Sequence, residues 1–193
     1  MLDSPVTSLD ALLTPILGMA YGYALRLLRN RSDAEDVLQE AALAAVKGFG
    51  TFRQGTNFKA WFFQILTNCF YARHRRSTRE GQPADLDDVP ELYLYQRTAE
   101  LGLHGGADAA REVLSRLDGD EIATALESLP DEYRVVSSLY FMEDFKYDQI
   151  AAILSVPVGT VRSRLHRGRK LLQRRLWPIA VEHGIVTESE RRA

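Results

Sequence analysis

Two helix-patterned stretches separated by Ser155-Val156-Pro157 constrain this chain more than any other feature. Tyr147 to Leu154 carries Ile150, Ala151, Ile153 and Leu154 at the spacing of a short helix with one packed side. The next stretch, Val158 to Leu176, reads VGTVRSRLHRGRKLLQRRL and holds Arg162, Arg164, Arg167, Arg169, Lys170, Arg174 and Arg175 without one acidic residue. At about 100° per residue, Val161, Leu165, Gly168, Leu172 and Leu176 share one face, and Ser163, His166, Arg167, Lys170 and Arg174 share the other. Pro157 fits the first turn of the second helix, where its missing N–H is not needed. Helix, tight break and cationic helix together make a helix-turn-helix, whose second helix turns its N-terminal residues toward base edges. Arg162, Ser163, His166 and Arg167 are therefore expected to read bases, and Arg169, Lys170 and Arg174 to hold phosphates. The alternative is a solvated basic face on a core helix; the tight break and the absence of acids weigh against it.

A chain of 193 residues makes one domain or two small ones, and 46% hydrophobic content is that of a globular protein. The net charge of -2 hides an uneven distribution. Residues 1–80 carry ten Lys and Arg against seven Asp and Glu, residues 81–126 three against ten, and residues 127–193 eleven against nine. Cys69 is the only cysteine, so no intrachain disulfide forms and a reducing compartment, the cytoplasm, is expected. The N-terminal MLDSPVTSLDALL has neither a basic leader nor a small-residue cleavage site, and no apolar run is expected to reach the roughly 18 residues that span a bilayer. Membrane insertion is not expected.

Upstream, Leu9, Leu12, Leu13, Ile16, Leu17, Ala20, Tyr21, Ala24, Leu27 and Leu28 follow helical spacing, with Thr14-Pro15 as the expected N-cap and first residue of the main helix. Ser32-Asp33-Ala34-Glu35 matches a capping box and predicts a second helix to about Lys47. Its inward residues are Ala34, Val37, Leu38, Ala41 and Ala45, with Asp33, Asp36, Gln39 and Glu40 on the polar side. A polar loop, TFRQGTN at 51–57, leads into a third helix from about Phe58 to Arg76. Phe58, Trp61, Phe62, Phe63, Phe70 and Tyr71 cannot share one stripe of that helix, and Arg73, His74, Arg75, Arg76 and Arg79 follow them. Aromatics interleaved with arginines hold single-stranded nucleic acid, since every base offers a face to stack on and every phosphate an anion. A helix buried between two neighbours explains Phe63 and Phe70 equally well.

Residues 77–119 mix Gly, Pro, Asp and Ala around Leu92, Tyr93, Leu94 and Tyr95, too long a stretch for a loop inside one compact domain, and read as a flexible acidic linker. From Asp120, Ile122, Leu126 and Leu129 precede Pro130, and Val135, Val136, Leu139 and Tyr140 follow it, predicting two helices behind the helix-turn-helix. After Leu176 a short tail becomes polar. His74, His104, His166 and His183 are scattered without metal-ligand spacing, and no Gly-rich phosphate loop follows a strand. The chain reads as all-α, without a catalytic site, metal or cofactor.

Three runs in order, Asp33 to Glu40 (DAEDVLQE), Gly55 to Trp61 (GTNFKAW) and Pro157 to Arg169 (PVGTVRSRLHRGR), resemble the extracytoplasmic-function class of bacterial RNA polymerase sigma factors of the sigma-70 family. The resemblance implies region 2 at 1–80, a linker at 81–119, region 4 at 120–177 and a tail at 178–193. It places Asp36, Gln39 and Glu40 at the clamp of the largest subunit of core RNA polymerase. It places Arg53, Gln54, Thr56, Asn57, Phe58, Trp61, Asn68, Tyr71, Arg75 and Arg76 at the melted minus-10 strand of promoter DNA. Thr160, Arg162, Ser163, His166, Arg167, Arg169, Lys170 and Arg174 then fall at the minus-35 element. RNRSDAEDVLQE, GTNFKAWFFQILTN and PVGTVRSRLHRGRK are most similar to a thiol-stress group held inactive by a zinc-binding anti-sigma factor, whereas CFYAR at Cys69 to Arg73 departs from that pattern. Two rivals belong to other classes. A sigma mimic that sequesters an anti-sigma factor needs no basic reading face, and a stand-alone repressor needs a dimerisation helix that the sequence lacks.

Overall fold

The computed structural model describes residues 8–77, 119–182 and 184, and every regular element among them is helical. Residues 1–7, residues 78–118 with all but the last residue of the linker expected at 81–119, residue 183, the polar end of the tail from 185, and the side chains of Arg75 and Arg76 lie outside that description.

The first half begins with α1 (Leu9–Leu13), capped by Ser8, whose hydroxyl accepts the Ala11 N–H at 3.3 Å. A 3-10 turn at Thr14–Ile16 then leads into α2 (Leu17–Leu28). Thr14 thus closes one helix rather than capping the next: Pro15 has no N–H for the α-helical ladder, and the backbone tightens across it. Leu9–Leu28 is apolar enough to cross a membrane by length and composition, with mean hydropathy 1.4, contrary to the expectation from its sequence. In the fold it is a core element, broken at the 3-10 turn, with Leu13, Ile16, Ala20, Tyr23, Ala24 and Leu27 packed inward.

Arg29 ends α2 in the left-handed region (φ 55°), and α3 (Arg31–Gly48) follows at once. Its cap is Asn30, whose side-chain oxygen accepts the Asp33 N–H at 3.1 Å. The capping box expected at Ser32 and Glu35 does not form. Asn30, two residues earlier, already satisfies the first orphan amides, and Glu35 pairs instead with Arg31 at 3.2 Å. A 3-10 turn at Phe49–Thr51 and a polar loop lead to α4 (Phe58–Ser77), capped by Asn57 through the Ala60 N–H at 3.0 Å.

The second half comprises α5 (Gly119–Glu127), α6 (Asp131–Phe141), α7 (Tyr147–Leu154) and α8 (Val158–Glu182). The helix therefore starts one residue inside the expected linker and continues past Leu176 into the expected tail. Trp177 and Ala180 are buried, which holds the last turns in register, while Pro178, which lacks the N–H for the helical ladder, sits on the exposed side. Gly168 lets α8 approach α6 closely: a β-carbon there would lie 2.5 Å from the Ser137 hydroxyl.

α2, α3 and α4 pack on one another in the first half, and α6, α7 and α8 in the second. The halves also pack together, α2 against α5 and α6, and α4 against α7. This accounts for two features. Phe62, Phe63, Leu66, Thr67 and Phe70 of α4 are all buried, because α4 has neighbours on several sides, so packing explains the off-stripe rings Phe63 and Phe70. Residues 133–141 of α6 are buried all round, charged Arg134 included.

Candidate nucleic-acid and polymerase surfaces

The turn between α7 and α8 is built by Ser155, which takes the left-handed region (φ 53°, ψ 43°). The Val156 N–H then reaches the Ala151 carbonyl at 3.0 Å, and the Pro157 carbonyl accepts from the Thr160 and Val161 amides at 2.9 and 3.3 Å. The turn thus spends its polar groups internally and aims α8 across α7. Val161, Leu165, Gly168, Leu172 and Leu176 are all buried, as the spacing predicts.

On the opposite face Arg162, Ser163, Arg167 and Arg174 are exposed, and Thr160, His166 and Lys170 are half-buried. The Ser163 hydroxyl donates to the Thr160 carbonyl at 3.0 Å, which orients both near the helix start. Arg167 lies beside the Tyr133 hydroxyl, a hydrogen bond that pushes its guanidinium pKa up. Arg169, expected at phosphates, is half-buried. It donates to the Tyr147 hydroxyl at 2.9 Å and lies over the Tyr140 ring at 5.3 Å, so it ties α8 to α7 and α6. Arg164 faces Glu132 of α6 at 3.8 Å.

The second surface is the loop before α4. Phe49, Phe52, Phe58 and Trp61 form an aromatic cluster with ring centroids 5.3–6.5 Å apart. Above it Arg53, Gln54, Thr56 and Asn57 are exposed. Thr56 folds back on Arg53, its hydroxyl donating to that carbonyl at 2.7 Å, and Gly55 turns between them at φ 82°. The loop is thus a rigid polar ridge on an aromatic floor, suited to splayed bases. Phe58, expected at a base, is 7% exposed: its ring packs against Phe49, Phe52 and Trp61 and supports the loop from below. Asn68 is exposed and Trp61 half-buried. Tyr71 is half-buried where Arg164, Asp131 and Glu132 of the other half face it; burial is the main cause that raises its hydroxyl pKa.

A third surface lies along α3. Asp36, Gln39 and Glu40 are exposed, opposite buried Ala34, Val37, Ala41 and Ala45. Arg73 of α4 contacts Asp33 and reaches Asp36 at 3.2 Å. Two residues that the sequence reading passed over complete the face: Leu43 is 61% exposed and Val46 60%. Their signal was available, since Leu43 follows Asp36 by two helical turns and lies off the apolar stripe. Acidic, amide and apolar groups in one stripe suit an amphipathic basic helix as partner. Among the described residues no cluster of three His, Cys, Asp or Glu side chains could hold a metal ion.

The sequence model of sigma-70 region 2 matches residues 12–80, and that of sigma-70 region 4 matches residues 119–172. The ECF RNA polymerase sigma factor SigW of Bacillus subtilis is 32% identical over 81% of this chain and 82% of its own. The chain belongs to the extracytoplasmic-function class of the sigma-70 family. SigE of Mycolicibacterium smegmatis, another ECF sigma factor, is 37% identical over 89% of this sigma factor, which spans 62% of SigE's length. The sigma factor RpoE of Bartonella quintana, solved with the anti-sigma factor NepR, superimposes with a TM-score of 0.62 at 28% identity, covering 86% of this chain and 94% of RpoE.

Proposed function

We propose that this sigma factor binds core RNA polymerase in the cytoplasm and directs it to specific promoters. The observation that carries the reading is the joint exposure of two nucleic-acid surfaces on one chain. Arg162, Ser163 and Arg167 at the start of α8 suit the minus-35 duplex, and the Arg53–Asn57 ridge with Trp61 and Asn68 suits the melted minus-10 strand. Thr160, His166, Lys170 and Arg174 extend the first surface, and Tyr71, Arg75 and Arg76 the second. Asp36, Gln39 and Glu40, with Leu43 and Val46, dock the polymerase clamp. Catalysis belongs to the polymerase; the chain supplies recognition. The RpoE–NepR complex supports control by an anti-sigma factor. That this inhibitor binds zinc and answers thiol stress rests on the resemblance of the three sequence runs alone.

Charge reversal tests the docking face. Asp36→Arg with Glu40→Arg keeps both side chains off the packed stripe, so helicity and thermal midpoint should hold. Affinity for core should fall by at least about tenfold, since two attractive contacts become repulsive and like charges across an interface cost several kcal/mol. Equilibrium titration of labelled chain against core measures it. Unchanged affinity would move the docking face elsewhere.

A further inference from the structure

A cavity of about 500 Å³ opens at the rim of the seam where the two halves pack, and its size suits a small molecule, whose sites run to roughly 300–1,000 Å³. One part of its wall is apolar and flat. Leu27 and Leu28 supply it from the end of α2, and the His74 ring of α4 joins them, stacked 5.3 Å from the Phe70 ring. The remainder is charged: Arg29, Arg73 and Arg134 line it together with Asp33 and Asp131.

The carboxylates there are already engaged. Asp33 receives Arg73, which also reaches Asp36 at 3.2 Å, and Asp131 receives both Arg134 and His74. The guanidiniums keep donors to spare, each having five N–H groups. Among the described residues Arg29 meets no carboxylate at ion-pairing distance, and its hydrogen bond goes to the Leu129 carbonyl at 3.3 Å. Arg134 is 3% exposed and donates to Asp131, to the Glu127 carbonyl at 3.2 Å and to that same Leu129 carbonyl at 3.3 Å. Its buried Nε has no hydrogen-bond partner among the described residues.

Two guanidiniums from different halves thus converge on one neutral oxygen. Burial is the main cause that holds the Arg134 guanidinium below its usual range, and the like charge of Arg29 adds to it against the pull of Asp131. A surplus of donors and two facing cations call for an acceptor that carries negative charge. Phosphate oxygens match arginine forks in geometry and supply that charge, which the Leu129 carbonyl does not. We propose that this cavity binds an organic phosphate of nucleotide size, its phosphate oxygens between Arg29 and Arg134 and its organic part against Leu27, Leu28 and the His74 ring. None of these five residues belongs to the sets placed at promoter DNA or at the polymerase clamp.

The test titrates ADP, pyrophosphate and adenosine separately into the full chain by calorimetry. ADP should bind once per chain and several-fold tighter than pyrophosphate, and adenosine should give no saturable heat. Arg29→Gln should weaken ADP by at least about tenfold, the scale of one hydrogen bond to a charged group. Arg29 is exposed, so its helicity and thermal midpoint should stay those of wild type. Arg134→Met should weaken ADP at least as much, and if that buried substitution unfolds the chain, Arg29→Gln still decides. Arg73 is left in place because it also holds Asp36 of the docking face. Arg162→Ala with Arg167→Ala, on the exposed face of α8, should leave ADP affinity unchanged. No saturable ADP binding at millimolar concentration would overturn the site. So would an ADP affinity that ignores Arg29→Gln, that is lost with Arg162 and Arg167, or that does not exceed the affinity for pyrophosphate. The assay needs neither polymerase nor promoter, so its outcome is independent of the promoter-recognition reading.

Discussion

Phe70→Ala is expected to lower the unfolding free energy by about 3–5 kcal/mol, the range for truncating a fully buried aromatic side chain. Phe70 is 1% exposed on α4, with Tyr71 and His74 rings 5.2 and 5.3 Å away, so alanine leaves a cavity that rigid helices fill poorly. Asn68→Ala, two residues earlier and exposed, should stay within about 0.5 kcal/mol of wild type. The two should separate oppositely in function: the folded fraction of Phe70→Ala keeps its promoter preference, and Asn68→Ala loses discrimination at the minus-10 strand. Urea unfolding followed by circular dichroism gives the first pair of values, and a promoter panel at low temperature the second. A Phe70→Ala protein as stable as wild type would return Phe70 to the list of stacking residues.

The second large effect divides the labour of α8. Arginine pairs bidentately with guanine, and each such contact discriminates by about 1–3 kcal/mol, or roughly 5- to 150-fold. Arg167→Ala, exposed near the start of α8, should therefore relax preference at one or two minus-35 positions. Arg174→Ala, two turns further along, should weaken binding to all sequences alike and lower the salt slope by about one unit. Holoenzyme binding to promoter variants at several salt concentrations separates these outcomes. If Arg167→Ala weakens every promoter by one factor, Arg167 is a phosphate contact.

Local physics was legible in the sequence and contacts between the halves were not. The boundaries of α7, the buried stripe of α8 and the start of α4 follow from periodicity, a proline and an asparagine cap, all acting within a few residues. The start of α3 was misplaced because Asn30 and Ser32 are both good caps within one turn, and only packing decides between them. The end of α8 was misplaced because the residues after Leu176 read as a short tail turning polar, whereas buried Trp177 and Ala180 carry the helix onward. The seam left only an indirect trace: Phe63 and Phe70 lie off the main stripe of α4, too many rings for one neighbour. Arg169 was assigned to phosphates from its place on the basic helix and Phe58 to the melted strand by the resemblance; the structure packs each beneath its surface, one bridging α7 and α8, the other flooring the loop. The docking stripe was half seen, because exposed Leu43 and Val46 resemble core residues until the helix is placed.

Run-off transcription tests the central claim most directly. Purified core polymerase is incubated with and without the chain on a library of genomic promoter fragments, and transcript starts are mapped. The account predicts that core alone yields no specific starts, that the chain adds discrete ones sharing upstream elements at two fixed distances, and that Asp36→Arg with Glu40→Arg abolishes them. A chain that binds core but yields no specific start on any fragment would contradict it.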